Sequence, residues 1–444
     1  MAKSVAIIGA GFSGSLTALN LLRAAPPSSE LQVVLIDPRG TFGPGLAYSV
    51  PSHRFKLNVR AHAMGAFPED PEGFLRWLKE RDPSASGDEF ISRRLYGDYL
   101  QDLVADAARR HPESLRLVSA EVLRVNRLRA GGKLSLLLSN DEQLEADFCV
   151  LAIGNLLRRG VESLGTQGLL REPYSASSYA GIQEAKEVFI LGSSLTAVDV
   201  ILECEGLGFT GSYSVVSRNG RFPLPHEDPA SLPNASLPAG WENPSTALSL
   251  LRTIRNASRS CGSSQPVFDA MRPKIQQMWQ NLPNSQRRAF LRHLRPFWEV
   301  HRHRIPAEHL AVIKGLQQAG RLTIQAARIT QVSSNEAVIA PKRRLRDSNT
   351  GRTKHVRFDV GFICAGPEGD ITRIDHPLAH SLLAQGLVRP GALKLGVEPE
   401  SPSSDSNFMV LGPMQKEQLW ETTAVRELRQ QAAQLAQRIV AANA

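Results

Sequence analysis

Two strand–turn–helix–strand patterns, each with a glycine turn after its first strand, lie roughly 180 residues apart, and the chain ends on a further apolar strand, a Gly-Pro turn and a helix. Together they predict an α/β fold of two nested Rossmann-like dinucleotide-binding domains with a helical insertion. A chain of 444 residues has room for both.

The first pattern opens with the apolar run Ser4–Ile8, short enough for a strand buried in a parallel sheet. Gly9-Ala10-Gly11-Phe12-Ser13-Gly14 follows, then a helical pattern through Leu16, Ala18, Leu19, Leu21 and Leu22 that Pro26 stops. Gly9 permits a tight turn, Gly11 lets the backbone approach a pyrophosphate, and Gly14 lets the helix pack closely on the strand. The second strand, Leu31–Ile36, ends in Asp37, where a carboxylate can accept ribose hydroxyls. Helices are expected at about Pro71–Arg81 and Arg93–Arg110, and strands at Leu115–Val118, Glu121–Leu128, Lys133–Ser139 and Asp147–Ile153, the last leading to Gly154.

The second pattern runs from Glu187–Leu191 through Gly192-Ser193-Ser194-Leu195-Thr196-Ala197 to the strand Ser212–Val216. Gly192 and Ala197 hold the first and third fingerprint positions, but Ser194 replaces the middle glycine. Arg218 stands where the first pattern has an acid, which suits the 2′-phosphate of NADPH. A purely structural βαβ unit or a vestigial site is the competing reading. Phe222 to Ala247 reads as loop, and Ala247–Arg304 as helices interrupted by Pro273, Pro283 and Pro296. A helix over Pro306–Gly320 and strands at Leu322–Val332, Glu336–Ile339, His355–Ile363 and Phe408–Leu411 follow, before a last helix from Thr422 to Val440. The domain boundaries expected are 1–165 and 364–444 for the first nucleotide-binding domain, 186–221 plus 305–363 for the second, and 222–304 for the insertion.

Composition narrows the function. The net charge of +9 is concentrated: residues 341–357 carry seven basic side chains against Asp347, and Arg287 to Arg304 six arginines against Glu299. No aromatics interleave with the first run and no nucleic-acid motif appears, so the expected partner is a small anionic molecule and neither nucleic acid nor a membrane. The four cysteines, Cys149, Cys204, Cys261 and Cys364, form no CxxC pair, which argues against a disulfide scaffold, a metal site and a dithiol redox centre. A reducing, cytoplasmic compartment fits.

The stretches GAGFSG (9–14), GPGLAYS (43–49), LNVRAHAMGAFPEDPEGFLRWL (57–78), RRLYGDYL (93–100), LRPFWEVHRHRIP (294–306), CAGP (364–367) and LWETTAVRELRQQA (419–432) resemble one family. It is the FAD/NAD(P)-binding proteins that include flavin-dependent urate hydroxylase and aspartate N-monooxygenases. The resemblance implies FAD on the first fingerprint, with Gly9, Gly11, Gly14 and Asp37 at its pyrophosphate and ribose, and a nicotinamide cofactor on the second. It also implies Gly43, Gly45 and Asn58 near the flavin, Gly154 and Gly366 at turns between domains, and Gly412 and Thr422 before a helix whose N-terminal dipole favours negative charge on a reduced flavin.

His293, Trp298, His301 and His303 stand among the arginines of the insertion, where a cationic wall for an anionic substrate competes with a simple interdomain helix. Arg302 and His303, with His226 as a weaker candidate, are the expected substrate contacts; no catalytic base is legible. The resulting expectation is an FAD-dependent, NAD(P)H-consuming oxidoreductase, foremost a single-component monooxygenase acting on a small anionic or polar nitrogen-containing substrate. An NAD(P)H-dependent reductase of an organic acceptor and a non-catalytic flavin-binding redox sensor are the alternatives.

Overall fold

Ser4–Ile8 lies at the centre of a five-stranded parallel sheet, as a run apolar on both faces requires. In the computed structural model, which describes residues 3–26, 30–128, 132–155, 169–341, 353–399 and 406–442, the strand order is Phe408–Val410, Phe148–Leu151, Ser4–Ile8, Gln32–Ile36, Leu115–Val118. Ala6 is in register with Val34 on one side and Cys149 on the other. The helix Phe12–Ala24 is buried from Phe12 to Leu21, and the C-terminal helix Val425–Ala441 packs along it. An antiparallel sheet of Val122–Arg127, Leu134–Leu138 and Gln143–Ala146 carries the helix Pro377–Ala384, pinned where Ser381 Oγ donates to the Val125 carbonyl at 3.0 Å. These elements form one compact unit, Met1–Ser49 with Val59–Leu156 and Glu368–Ala444.

The second unit comprises Val50–Asn58 and Leu157–Pro367. Its sheet runs in the order Lys354–Arg357, Glu336–Pro341, Leu322–Val332, Ser212–Ser217, Glu187–Leu191, Val360–Ile363. The long strand Leu322–Val332 serves two pairings: residues Leu322 to Ala326 pair parallel with Tyr213 to Ser217, and the rest pairs antiparallel with Glu336–Pro341. The helix Leu195–Gly206 buries Ala197, Val200, Ile201 and Cys204 against this sheet, and Phe55 of the short 50–58 segment joins the same core. Glu203 holds that segment, lying 3.6 Å from Arg54 and accepting from Ser52 Oγ.

Three local expectations are corrected. The run His355–Ile363 is two strands, because the Asp359 carboxylate accepts from the amides of Lys186 and Glu187 at 2.7 and 3.0 Å and turns the chain into the parallel sheet. Pro296 does not interrupt its helix. The chain stays helical from Asn284 to Arg302, and a π-helical turn at Phe290–Leu294 precedes the proline, absorbing the missing donor. The C-terminal helix starts at Val425, since Trp420 adopts φ 61° and its neighbour Glu421 donates to Leu419 O, a γ-turn that ends the regular pattern. Pro283 separates Ile275–Asn281 from Asn284–Ala289 as expected, whereas at Pro273 the α-helix gives way only to a 3-10 turn, Arg272–Lys274, that joins Gln265–Met271 to Ile275–Asn281. Most of the basic run 341–357 lies outside the described residues. Among the described residues no helix is long and apolar enough to cross a membrane, and no group of three His, Cys, Asp or Glu side chains could hold a metal ion.

Candidate cofactor sites

Close packing explains the first glycine turn. Gly9 has φ +97°, and a Cβ there would stand 2.5 Å from the Ala152 carbonyl oxygen. A Cβ on Gly14 would reach within 1.9 Å of Gly9 O. Helix Phe12–Ala24 therefore starts directly on the strand end, and its N-cap, Gly11, supplies no side-chain cap to the first amides. Such uncapped amides with the helix dipole behind them form an anion site.

The Gly43-Pro44-Gly45 loop packs on the same turn. Gly43 N donates to Ala10 O at 2.8 Å, and a Cβ on Gly45 would meet Gly11 Cα at 2.7 Å. Gly45 is thus needed for the contact between the two backbones, and a Cβ on Gly11 would press on Gly45 Cα at 3.3 Å. Gly412, φ +88°, faces Ser13 from the C-terminal segment, where a Cβ would be 3.0 Å from Ser13 Oγ. Two turns on, Thr422 is fully buried, and its Oγ1 has no hydrogen-bond partner among the described residues. The helix that follows it also begins without a side-chain cap. Gly154 and Gly366 have φ +71° and +79° with open space around the position of a Cβ. A glycine cradle, two uncapped helix starts and an unsatisfied buried hydroxyl fit a flavin dinucleotide in this unit.

Asp37 is buried at the end of its strand. Burial acts to raise its pKa, but the Arg39 guanidinium and the Ala10 and Arg39 amides outweigh this and hold the carboxyl below the usual range. Asn58 falls in the second unit, where its carbonyl accepts from His226 Nε2 at 3.0 Å.

In the second fingerprint Gly192 is as constrained as Gly9, with φ +114° and a Cβ position 2.0 Å from Cys364 O. Ala197 is fully buried. Ser194 is exposed at the N-cap of its helix and its side chain does not cap it. Ser193 Oγ, by contrast, is committed to Ser217 Oγ and Arg221 O at 2.8 and 2.6 Å, which ties the turn to the next strand end. Arg218 is exposed immediately after that strand. Sequence reasoning missed Arg221, whose guanidinium stacks 3.9 Å from the exposed Phe297 ring; its spacing from Arg218 was visible, its stacking partner was not.

Part of the insertion's positive charge is used internally, while Arg288 and Arg292 are exposed. Arg304, 5% exposed, donates to His301 O, Pro225 O and Ser264 Oγ at 3.0, 3.0 and 3.1 Å and lies 3.6 Å from Glu227. His301 stacks on Phe268 and pairs through Nδ1 with Ser264 Oγ at 2.9 Å. Burial, then the charges of Arg304 and Arg221, keep its pKa below the ordinary histidine value. Arg302 is buried, and His303 Nε2 is 3.2 Å from Glu299. His293 is exposed, whereas Trp298 packs edge-on against Phe268 and Phe290.

Three of the four thiols, Cys149, Cys204 and Cys364, are buried, and all four are unpaired. Burial pushes Cys204 up to about 12 and raises Cys149 and Cys364 as well, away from the thiolate that disulfide exchange needs.

Residues 6–156 match the model of a family described as FAD-NAD(P)-binding. The uncharacterized protein YdhS of Escherichia coli (strain K12) is 25% identical over 222 residues, 45% of this chain and 39% of that protein, so the match spans well under half of that relative. Among solved structures, ornithine hydroxylase from Pseudomonas aeruginosa superposes with a TM-score of 0.67 at 15% identity, covering 100% of both chains. L-lysine 6-monooxygenase from Pseudomonas syringae gives 0.66 at 16%, covering 100% of this chain and 99% of that one. Bacillithiol disulfide reductase from Staphylococcus aureus gives 0.59 at 14%, with the same coverage. At these identities the likeness is one of fold. The chain therefore carries an FAD-NAD(P)-binding domain in its N-terminal region and has the Rossmann-like fold shared by flavoprotein monooxygenases and reductases.

Proposed function

We propose that the protein is an FAD-dependent, NADPH-consuming oxidoreductase, and specifically a single-component monooxygenase that hydroxylates a small anionic or polar nitrogen-containing compound. The observation that carries this reading is the pairing of two glycine-turn nucleotide units with thiols that are all unpaired and, but for Cys261, buried. Bound FAD would supply hydride acceptance from the nicotinamide and electron delivery to oxygen. The chain's own residues bind and orient. Gly9, Gly11 and Gly14 let the helix-start amides meet the pyrophosphate, and Gly43 and Gly45 bring a second backbone segment against that turn. The first amides of Val425–Ala441, with Thr422 Oγ1, offer donors to an electron-rich ring. Gly192 and Ala197 shape the nicotinamide turn, exposed Ser194 leaves it passable, and Arg218 meets the 2′-phosphate.

His226, Arg302 and His303 are the substrate-contact candidates, and contact by His226 or His303 requires release of Asn58 O or Glu299. The likeness to N-hydroxylating enzymes that act on ornithine and lysine supports a nitrogen-containing substrate, and the resemblance of GPGLAYS and VHRHR to the urate hydroxylase and aspartate N-monooxygenase family supports an anionic one. The fold likeness to a disulfide reductase favours a second reading, reduction of an organic acceptor without oxygen. Anaerobic reduction of the purified protein by NADPH, followed by oxygen-18 gas and the substrate panel of ornithine, lysine, aspartate and urate, separates the two. Label from the gas in a hydroxylated product supports the monooxygenase. NADPH turnover with an organic acceptor that runs equally well without oxygen overturns it.

A further inference from the structure

An acid at the end of the second Rossmann strand is expected to accept hydrogen bonds from ribose hydroxyls. In this chain that acid is spent. Asp37 Oδ2 accepts from Ala10 N at 2.9 Å and Arg39 Nη2 at 3.0 Å, and Oδ1 accepts from Arg39 N at 3.1 Å and Arg39 Nε at 3.0 Å. A carboxylate offers about four lone-pair sites, so these four donors saturate it. Its side chain is 4% exposed, whereas that of Arg39 is 41% exposed. The group presented to a ligand at this strand end is thus a guanidinium held by two parallel bonds, a geometry that fixes its plane.

We infer that Arg39, and not Asp37, is the residue that contacts the adenosine end of FAD, donating to the ribose hydroxyl oxygens, while Asp37 acts through it as a positioning residue that also anchors the Ala10 amide of the glycine turn. The inference rests on the reading of this unit as the FAD site. It inverts the selectivity of the strand end. An acid there repels a 2′-phosphate, and an arginine accepts one. FAD has no 2′-phosphate, so the difference shows only with probe nucleotides.

The test measures FAD release from the holoprotein, by the rise in flavin fluorescence, on titration with 5′-ADP or 2′,5′-ADP. An Arg218→Ala background removes the other arginine at which the 2′-phosphate would bind. The expected result is that 2′,5′-ADP releases FAD at the same or lower concentration than 5′-ADP. Arg39→Ala weakens FAD roughly 10- to 100-fold and reverses that order, as loss of one charge-assisted contact implies. Arg39→Lys preserves the order, and Asp37→Asn combined with Arg39→Ala is no weaker than Arg39→Ala alone. Circular dichroism melting of each variant identifies one that has merely unfolded, and Arg39→Lys then decides. A lower effective concentration for 5′-ADP in the parent, or FAD affinity and probe order unchanged by Arg39→Ala, overturns the inference while leaving the FAD site intact. A native protein that takes up no FAD overturns the underlying reading as well.

Discussion

Substituting Gly14 by alanine tests whether the helix start holds the pyrophosphate. The new Cβ would lie 1.9 Å from Gly9 O, a backbone atom that cannot swing aside. Ordinary contact begins near 3.4 Å, so the first turn of Phe12–Ala24 must retreat by roughly 1.5 Å or the strand end must bend, an overpacking of the kind that costs about 1–3 kcal/mol. Alanine recovers at most about 1 kcal/mol through its better helix propensity, so the fold loses on balance but survives in a domain of this size. The ligand suffers more. Amide bonds to a charged phosphate contribute about 1.5–3 kcal/mol each, and a retreat of that size breaks at least one and strains its neighbours. The expected loss is about 3 kcal/mol, or roughly 10²-fold in FAD affinity. Flavin absorbance per mole of desalted protein and fluorescence titration with added FAD measure it. Gly320→Ala is the control: that glycine lies in the second unit and has φ +71° but no atom within reach of a Cβ, so it costs only about 1–2 kcal/mol of backbone strain and leaves flavin content unchanged. Native FAD content and affinity in a folded Gly14→Ala protein would refute the reasoning.

Two further outcomes follow from the second unit. Arg218→Ala should weaken NADPH by about 1.5–3 kcal/mol and leave NADH nearly unchanged in stopped-flow flavin reduction; equal losses for both would make Arg218 a structural residue. His301 has a folded-state pKa below its ordinary 6.5 because burial and the charges of Arg304 and Arg221 disfavour the cation. The unfolded chain therefore binds the extra proton first as the solution is acidified. Stability from this group is complete above pH 6.5 and is lost as the pH falls through the lower folded-state value. His301→Gln, which retains a partner for Ser264, should flatten that part of the melting-temperature profile, and an unchanged profile would rule His301 out as its source.

The α/β fold was legible because its signals are local. Period, glycine spacing and a terminal proline mark Ser4–Ile8, Phe12–Ala24, Glu187–Leu191 and Leu322–Val332 within a residue or two. The short strand Gln143–Ala146, the helix Pro377–Ala384 and the hairpin of Val388–Pro390 with Val397–Pro399 escaped, since three- to eight-residue elements stabilised by neighbours carry little pattern of their own. Pro296 was misread for the same reason: a proline removes a donor locally, but whether the helix breaks depends on whether the preceding turn can widen, and packing of Phe290 and Leu294 into the insertion core allows it to.

The sequence by itself determined which residues could meet a nucleotide, because a glycine at a turn and an acid or arginine at a strand end express covalent geometry and charge that travel with the residue. Only the tertiary structure decided how those groups are spent. Asp37 and Arg39 are two residues apart in the chain, yet nothing in that spacing says that both carboxylate oxygens are consumed by the guanidinium and the Ala10 amide. Arg304 reads as one more cation in a basic run until Pro225, brought beside it by the Leu224–Ile305 pairing, takes its hydrogen bond across 79 residues. Hydrogen-bond saturation depends on every donor within about 3 Å, and the donors within that radius are chosen by the fold, not by the sequence neighbourhood.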